Sequence, residues 1–239
     1  MISQFTIYSN TLGDINLKKA LICTLNAHSY NISKIDNVYH DALLNSEVLI
    51  PDGISVVLAI RWLTGQRLKK IAGADLFDYE MKKLQKTGGK CFFLGSSEIT
   101  LQKIKDRVAI EFPGIIVDSY SPPFKASFSD EDNSLMLKLI NNFNPDVLMV
   151  GMTAPKQEKW AYEHYSNLQV GHICCIGAVF DFYAGTIKRA PQWMINLGLE
   201  WFYRFIKEPK RMWRRYLLGN IIFTLHLVKE KLTLTFKRK

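Results

Sequence analysis

Short apolar runs alternate with amphipathic segments along most of this 239-residue chain. Each run has the length of one buried strand and is followed by a turn signal and then by a helical pattern. This alternation predicts an α/β fold with a Rossmann-like, mainly parallel sheet that helices flank on both faces. The predicted strands are residues 20–25, 48–50, 91–94, 114–118, 147–150 and 172–176.

The alternation stops after Pro191, where the chain becomes aromatic, basic and helical in pattern. Residues 204–239 hold eleven Lys or Arg against two Glu, which accounts for the whole formal net charge of +9. We therefore divide the chain into an α/β domain, residues 1–192, and a basic, aromatic appendage, residues 193–239. Cations interleaved with aromatic side chains suit a surface that is both anionic and apolar, such as a membrane.

The sequence predicts a cytoplasmic protein. The first residues lack the basic start and apolar run of a signal peptide, and no stretch approaches the roughly 18 to 20 apolar residues of a membrane span. We expect the chain to associate peripherally with the inner face of the cell membrane. An amphipathic stripe in the appendage could lie in the membrane interface. It could instead pack on the body of the protein, the α/β domain, or on a second subunit. Its members are Leu217, Leu218, Ile221, Ile222, Leu225, Val228 and Leu232.

Three polar loops directly follow predicted strands, where open α/β sheets bind their ligands. Asp52 follows the second strand, Gln157 and Glu158 follow the fifth, and Asp181 follows the sixth, with Arg189 at a distance suited to phosphate. Each loop also has a purely structural interpretation. Asp52 would then cap the next helix, the second loop would be a solvated helix start, and Asp181 would be paired in a buried turn.

Motifs for a cofactor or a metal are weak, and we expect neither. The chain has no GxGxxG and no GxxxxGK[ST] motif, and its five His form no ligand spacing. An acidic triplet, Asp130 to Asp132, stands at a predicted helix start rather than at a strand end. The four Cys, two of them adjacent, lie in apolar surroundings and are predicted to be reduced core residues.

Several co-linear segments together resemble the WecG/TagA/CpsF family of glycosyltransferases, glycosyltransferase family 26. They run in the family's order from about residue 20 to residue 215. The segments are Thr24-Leu25-Asn26, Pro51-Asp52-Gly53-Ile54, Gly73-Ala74-Asp75-Leu76, Pro145-Asp146-Val147, Pro155-Lys156-Gln157-Glu158, Phe180-Asp181-Phe182-Tyr183-Ala184-Gly185, Lys188-Arg189-Ala190-Pro191, and Leu199-Glu200-Trp201 through Arg204, Glu208-Pro209 and Arg211.

The resemblance implies an inverting, metal-independent transferase that passes a sugar from a UDP donor to a polyprenyl-diphosphate-linked sugar. The best-known members add N-acetylmannosamine, or its uronic acid, to lipid-linked N-acetylglucosamine in cell-envelope polysaccharide or teichoic acid-type synthesis. It implies that Asp52 is the catalytic base and that the arginines act at the donor diphosphate and the membrane. The substrate-binding residues are then Thr24, Asn26, Gly53, Lys70, Gln157, Glu158, Asp181, Tyr183 and Arg189, and the arginines are Arg204, Arg211 and Arg214.

The chain departs from the family pattern at two places. Two other functions also remain as alternatives. The family commonly has Arg where this chain has Lys70, which weakens a bidentate phosphate contact there, and Thr153-Ala154 leaves the donor sugar open. A nucleic-acid-binding module could use the basic tail, but the neutral body counts against it. A sugar-nucleotide hydrolase would keep the pocket and need no lipid acceptor. The apolar stripe would also allow a homo-oligomer.

Overall fold

The computed structural model describes residues 1–236, in which six strands form one sheet of the order β2-β1-β6-β5-β3-β4. All five neighbouring pairs are parallel. The sequence-based prediction of a Rossmann-like α/β fold with six strands is thereby confirmed. The strands are β1 (Ala20–Leu25), β2 (Val48–Pro51), β3 (Lys90–Gly95), β4 (Ile116–Tyr120), β5 (Val147–Gly151) and β6 (His172–Cys175). Three cations of the predicted basic tail, at 237–239, lie outside the described residues.

Helices connect the strands and continue beyond the last one. The helix after β3 forms where Ser97 accepts a hydrogen bond from the Thr100 amide, and it buries Leu101, Ile104 and Val108 at helical spacing. The helices are α1 (Ala27–Ser33), α2 (Asn37–Leu44), α3 (Ile54–Thr64), α4 (Gly73–Thr87), α5 (Glu98–Glu111), α6 (Asp130–Phe143), α7 (Lys156–Glu163), α8 (Val179–Tyr183), α9 (Gln192–Asn196), α10 (Glu200–Lys207), α11 (Pro209–Trp213) and α12 (Gly219–Phe236). A π-helical turn, Arg214–Leu218, joins α11 to α12.

The sheet has a buried hydrophobic cluster on each face. Along β1, Leu21, Cys23 and Leu25 belong to one cluster, whereas Ala20 and Ile22 belong to the other. This is the alternation that a strand buried on both faces requires. All four Cys are free and buried, as predicted.

The last helix packs on the body through a face different from the predicted stripe. Phe223 meets Tyr30 of α1 edge-on, with ring centroids 5.3 Å apart, and Leu227 joins the same core cluster. The carboxylate of Glu230 accepts hydrogen bonds from the amides of Ile2 and Ser3. All seven residues of the stripe stay exposed, so the interpretation that the stripe packs on the body is wrong. Within residues 1–236, every helix is too short or too polar to cross a bilayer.

Candidate active site

A cavity of about 1330 Å³ opens at the carboxyl ends of the strands. Because the strands are parallel, all six of these ends meet at one edge of the sheet, and the loop after each strand reaches the cavity. The C-terminal helices supply its remaining wall with Glu200, Trp201, Arg204, Arg211 and Arg215. One lining residue from each strand end, in chain order, is Asn26, Asp52, Ser96, Ser121, Met152 and Ile176.

Asp52 lies half-buried in this cavity, immediately after β2. Its backbone amide donates a 2.8 Å hydrogen bond to the Leu25 carbonyl, which fixes it to the end of β1. Burial, and then the nearby carboxylate of Glu200, raise the pKa of Asp52 to about 6, against the opposing effects of Lys70 and Arg215. A carboxylate with such a pKa is ionised at neutral pH and is still basic enough to accept a proton.

Asn26 and Gly53 set the position of this carboxylate. Asn26 caps α1 by accepting hydrogen bonds of 3.0 Å at Oδ1 from the amides of His28 and Ser29. Its hydrogen bonding also favours the ionised form of Asp52. Gly53 has φ +132°, and a Cβ there would stand 3.6 Å from the Cβ of Asn26. Only glycine adopts this backbone conformation readily, and it brings Asp52 and Asn26 together. Gly53 rather than Asp52 stands at the cap position of α3, and no side chain caps that helix.

A second carboxylate, Glu158, lies deeper in the cavity wall. Both Gln157 and Glu158 are buried at the start of α7, contrary to the interpretation of this loop as a solvated helix start. Gln157 donates from Nε2 to Oε1 of Glu158 at 2.8 Å and accepts at Oε1 from the Met152 amide. Burial raises the pKa of Glu158 to about 7. Its Oε2 and the hydroxyl of Tyr39 find no hydrogen-bond partner among residues 1–236.

Another part of the cavity lining is strongly basic. Arg204, Arg211 and Arg215 contribute to it, and Lys70 joins them because the Ile71 amide is hydrogen-bonded to the Pro51 carbonyl at the end of β2. In the described part of the chain, the buried Nε atoms of Arg204 and Arg215 have no hydrogen-bond partner. Guanidinium groups with unused donors have the chemistry that binds phosphate or carboxylate oxygens.

Arg215 was missed by the sequence analysis, which assigned Arg214. Burial lowers the pKa of Arg215, an effect that Arg204 reinforces and Tyr216 and Asp52 oppose. Arg214 is exposed, with its guanidinium 5.3 Å from the ring centre of Trp213, and it does not line the cavity. Both arginines stand in the π-helical turn, whose wider winding changes which residue faces inward. The sequence shows two adjacent arginines, but it does not show which of them faces the cavity.

The remaining predicted residues divide into two groups. Asp181 and Arg189 line the cavity, and Arg189 donates from Nε to Glu200 at 3.1 Å. Tyr183 does not line it. Its hydroxyl donates to Glu111 at 3.0 Å, and its ring lies 4.5 Å from that of Phe77. In total, the cavity brings together Thr24, Asn26, Asp52, Gly53, Lys70, Gln157, Glu158, Asp181, Arg189, Arg204 and Arg211.

His28 and the loop after β4 complete the cavity. Burial, together with the charge of Arg215, lowers the pKa of His28 to about 4, so this ring is neutral at pH 7. The loop reaches over the cavity with Phe124, which is fully exposed, and Phe128, whose ring centre lies 3.5 Å from Nζ of Lys156. No group of three or more His, Cys, Asp or Glu in the part of the chain that the structure describes is arranged to hold a metal ion.

Comparison with known proteins gives one consistent result. The model of the family described as "Glycosyl transferase WecG/TagA/CpsF family" matches residues 7–237. A protein of Bacillus subtilis (strain 168), named N-acetylglucosaminyldiphosphoundecaprenol N-acetyl-beta-D-mannosaminyltransferase, is 35% identical over 213 residues, 89% of this chain and 80% of its own length. Proteins of the same name from Bacillus spizizenii and Staphylococcus aureus (strain MW2) are 30% and 26% identical, over 84% and 88% of this chain and 76% and 81% of theirs.

Proposed function

The chain belongs to the WecG/TagA/CpsF family and is a glycosyltransferase, and we propose that it transfers N-acetylmannosamine from a UDP donor to N-acetylglucosamine linked to undecaprenyl diphosphate. The names of the relatives supply the transferred sugar and the acceptor. The observation that carries the proposal is the pairing, in one cavity, of the carboxylate of Asp52 with a wall of arginines. Inverting transfer to a hydroxyl needs a base for the hydroxyl proton and positive charge for the leaving diphosphate, and these groups can supply both.

Asp52 acts as the general base in this proposal. The acceptor hydroxyl attacks the anomeric carbon of the donor sugar from the face opposite UDP. Asp52 takes the proton of that hydroxyl while the bond between the anomeric carbon and the diphosphate oxygen breaks, and UDP leaves with the bonding electrons. A pKa of about 6 leaves most of the Asp52 population ionised at neutral pH.

The basic wall stabilises the leaving diphosphate. Negative charge grows on the diphosphate oxygens as the bond breaks, and fixed cations aimed at that charge lower the barrier. We assign this role to Arg204, Arg211 and Arg215, with Lys70 as a point charge near Asp52. In this proposal the four side chains neutralise the diphosphate without a metal ion. The exposed Arg214 is assigned to contact with anionic lipid.

Uncharged and acidic residues of the cavity lining recognise the sugars and the uracil. Thr24, Asn26, Gln157 and Glu158 offer hydroxyl, amide and carboxyl groups there. With a pKa of about 7, Glu158 is present in both protonation states near neutrality, so its unpartnered Oε2 can donate as well as accept. The exposed apolar stripe on the C-terminal helix holds the enzyme at the inner face of the membrane, where the lipid-linked acceptor lies.

The test is UDP release from a panel of UDP-sugars, with and without undecaprenyl-diphosphate-linked N-acetylglucosamine, and with EDTA throughout. We expect release that depends on the acceptor and is fastest with UDP-N-acetylmannosamine, and none from the Asp52→Asn variant. Equal release without acceptor would replace the proposal with a sugar-nucleotide hydrolase. Loss of wild-type activity in EDTA, restored by a divalent cation, would contradict the metal-free role of the arginines.

A further inference from the structure

A second hollow, which we call the α3–α12 groove, lies on the surface beside the main cavity. Its volume is about 290 Å³. Two of its residues, Ser55 and Asn220, also line the main cavity, so the groove opens at the rim of the active site. It is lined by Ser55, Leu58, Ala59 and Trp62 from α3 and by Asn220, Phe223, Thr224 and Leu227 from α12.

The groove runs away from the active site between two helical faces. On each helix its residues follow the spacing i, i+3, i+4, i+7, which places them on one face along two turns. Ser55 and Asn220 stand at the cavity end, and Trp62 and Leu227 at the far end. The seven helical steps from the first to the last lining residue, at 1.5 Å each, make the groove on the order of 10 Å long.

The walls of the groove are apolar and open to solvent. Leu58 is 53% exposed and Trp62 is 49% exposed, while Phe223 and Leu227 form a buried floor. The hydroxyl of Thr224 donates to the Asn220 carbonyl at 2.8 Å, so it is used within the helix. Such a surface gains free energy when an apolar ligand covers it.

We propose that the α3–α12 groove binds the first isoprene units of the polyprenyl chain of the acceptor, an inference that rests on the proposed function. The acceptor sugar must reach Asp52, and its lipid must leave the polar cavity at some point of the rim. The groove is an apolar exit that begins at this rim. At the ~30 Å³ that one water molecule occupies in the liquid, 290 Å³ holds roughly ten non-hydrogen atoms, or two five-carbon units.

The far end of the groove fits the same occupant. Lys231 donates to the Trp62 carbonyl at 2.9 Å, which places a cation where the chain would pass toward an anionic leaflet. Leu225, Val228 and Leu232 are exposed apolar residues on a neighbouring face of the same helix. The polyprenyl chain would therefore pass from the diphosphate along the apolar residues of the groove toward the lipid.

The test compares two water-soluble acceptors in solution, without membrane or detergent. Both carry N-acetylglucosamine diphosphate, one esterified to methanol and one to geraniol, which supplies two isoprene units. With UDP-N-acetylmannosamine as donor, we expect wild-type kcat/KM to be at least about tenfold higher for the geranyl acceptor. Leu58→Gln and Trp62→Gln should lose most of this preference while keeping wild-type transfer to the methyl acceptor. Ile110→Gln, a control at a more exposed helical position on α5, should keep both.

The outcomes separate the groove from the function on which it depends. A wild-type enzyme that transfers to neither acceptor contradicts the proposed function and the groove with it. Equal wild-type kcat/KM for the two acceptors, or variants that retain the full preference, overturns the groove alone. If Leu58→Gln instead converts a dimer to a monomer by light scattering and leaves the preference intact, a second copy of the chain covers the groove, and the proposal is wrong.

Discussion

The side-chain amide of Asn31 on α1 donates a 2.7 Å hydrogen bond to the carbonyl oxygen of Gly219, the first residue of α12. Gly219 directly follows the π-helical turn that carries Arg215, and α1 is capped by Asn26 beside Asp52. One hydrogen bond thus joins the helix that borders the carboxylate to the helix that directly follows the guanidinium-bearing turn. The relative position of these two groups depends on how the C-terminal helices dock on α1.

Asn31→Ala should therefore weaken catalysis more than stability. Losing one hydrogen bond costs about 1 kcal/mol of unfolding free energy, whereas a small displacement of Arg215 weakens the site for the leaving diphosphate. We expect kcat/KM for the donor to fall about tenfold, with a decrease in Tm of a few degrees. The control is Asn45→Ala at the exposed end of α2, which removes an amide-to-carbonyl bond to Asp41 and a bond to the Tyr162 hydroxyl. Equal activity in both variants would exclude this coupling.

The pH dependence of transfer should follow the ionisation of Asp52. A general base acts in its ionised form, and the pKa of Asp52 is raised to about 6, chiefly by burial. We expect log(kcat/KM) to rise with slope one below about pH 6 and to level off above it. Asp52→Asn should abolish transfer and still bind UDP, as calorimetric titration would show. A profile that stays flat down to pH 5 in the wild type would rule out Asp52 as the titrating base.

Substitutions of Arg214 and Arg215 should have different effects on turnover although the two residues are adjacent. Arg215 lines the cavity near Asp52, whereas Arg214 is exposed beside Trp213. Arg215→Gln should lower kcat by about 100-fold, since charge on the leaving group loses a buried donor. Arg214→Gln should change turnover in solution by no more than about threefold and should weaken binding to anionic vesicles. The reverse order of effects on kcat would assign the diphosphate contact to Arg214.

The sequence was sufficient for the sheet and for most of the site. Hydrophobic periodicity located all six strands, and because parallel strands end at one edge, it also placed Asp52, Gln157 and Asp181 around one cavity. The departures have local causes. Tyr183 lies on the side of α8 that packs against α4 and α5, and a five-residue helix gives no periodicity from which to read that orientation.

The C-terminal helices show a different limit of sequence reasoning. The stripe from Leu217 to Leu232 predicted an apolar face, but α12 has two such faces, and the one that packs on the body contains Phe223 and Leu227. Which face is buried depends on the shape of α1, and periodicity carries no information about it. Glu200 was likewise noticed as part of a motif, but its effect on Asp52 depends on a contact across the fold.

Ionisation of the buried Glu158 should lower the free energy of unfolding as the pH rises. Burial raises its pKa from 4.5 in the unfolded chain to about 7, so the folded state binds the proton more tightly, and stability falls as pH rises from 4.5 to 7. The ionised form then costs up to about 3 kcal/mol above pH 7. Glu158→Gln can keep the hydrogen bond from Gln157 and has no charge to bury. Its Tm should exceed that of the wild type at pH 8 and match it at pH 5. A constant difference in Tm across this range would contradict the shifted pKa.

The exposed stripe on α12 should bind membrane independently of catalysis. Ile222 and Leu225 are 45% and 63% exposed, so Asp at either position leaves the core intact. Inserting such a side chain into a bilayer contributes about 1.5–3 kcal/mol. Each substitution should therefore weaken co-sedimentation with anionic vesicles at least about tenfold and leave transfer to a soluble acceptor unchanged. Ile110→Asp, on the exposed face of α5, should bind vesicles like the wild type. Vesicle binding that survives both substitutions, combined with a change from dimer to monomer, would assign the stripe to a second subunit instead.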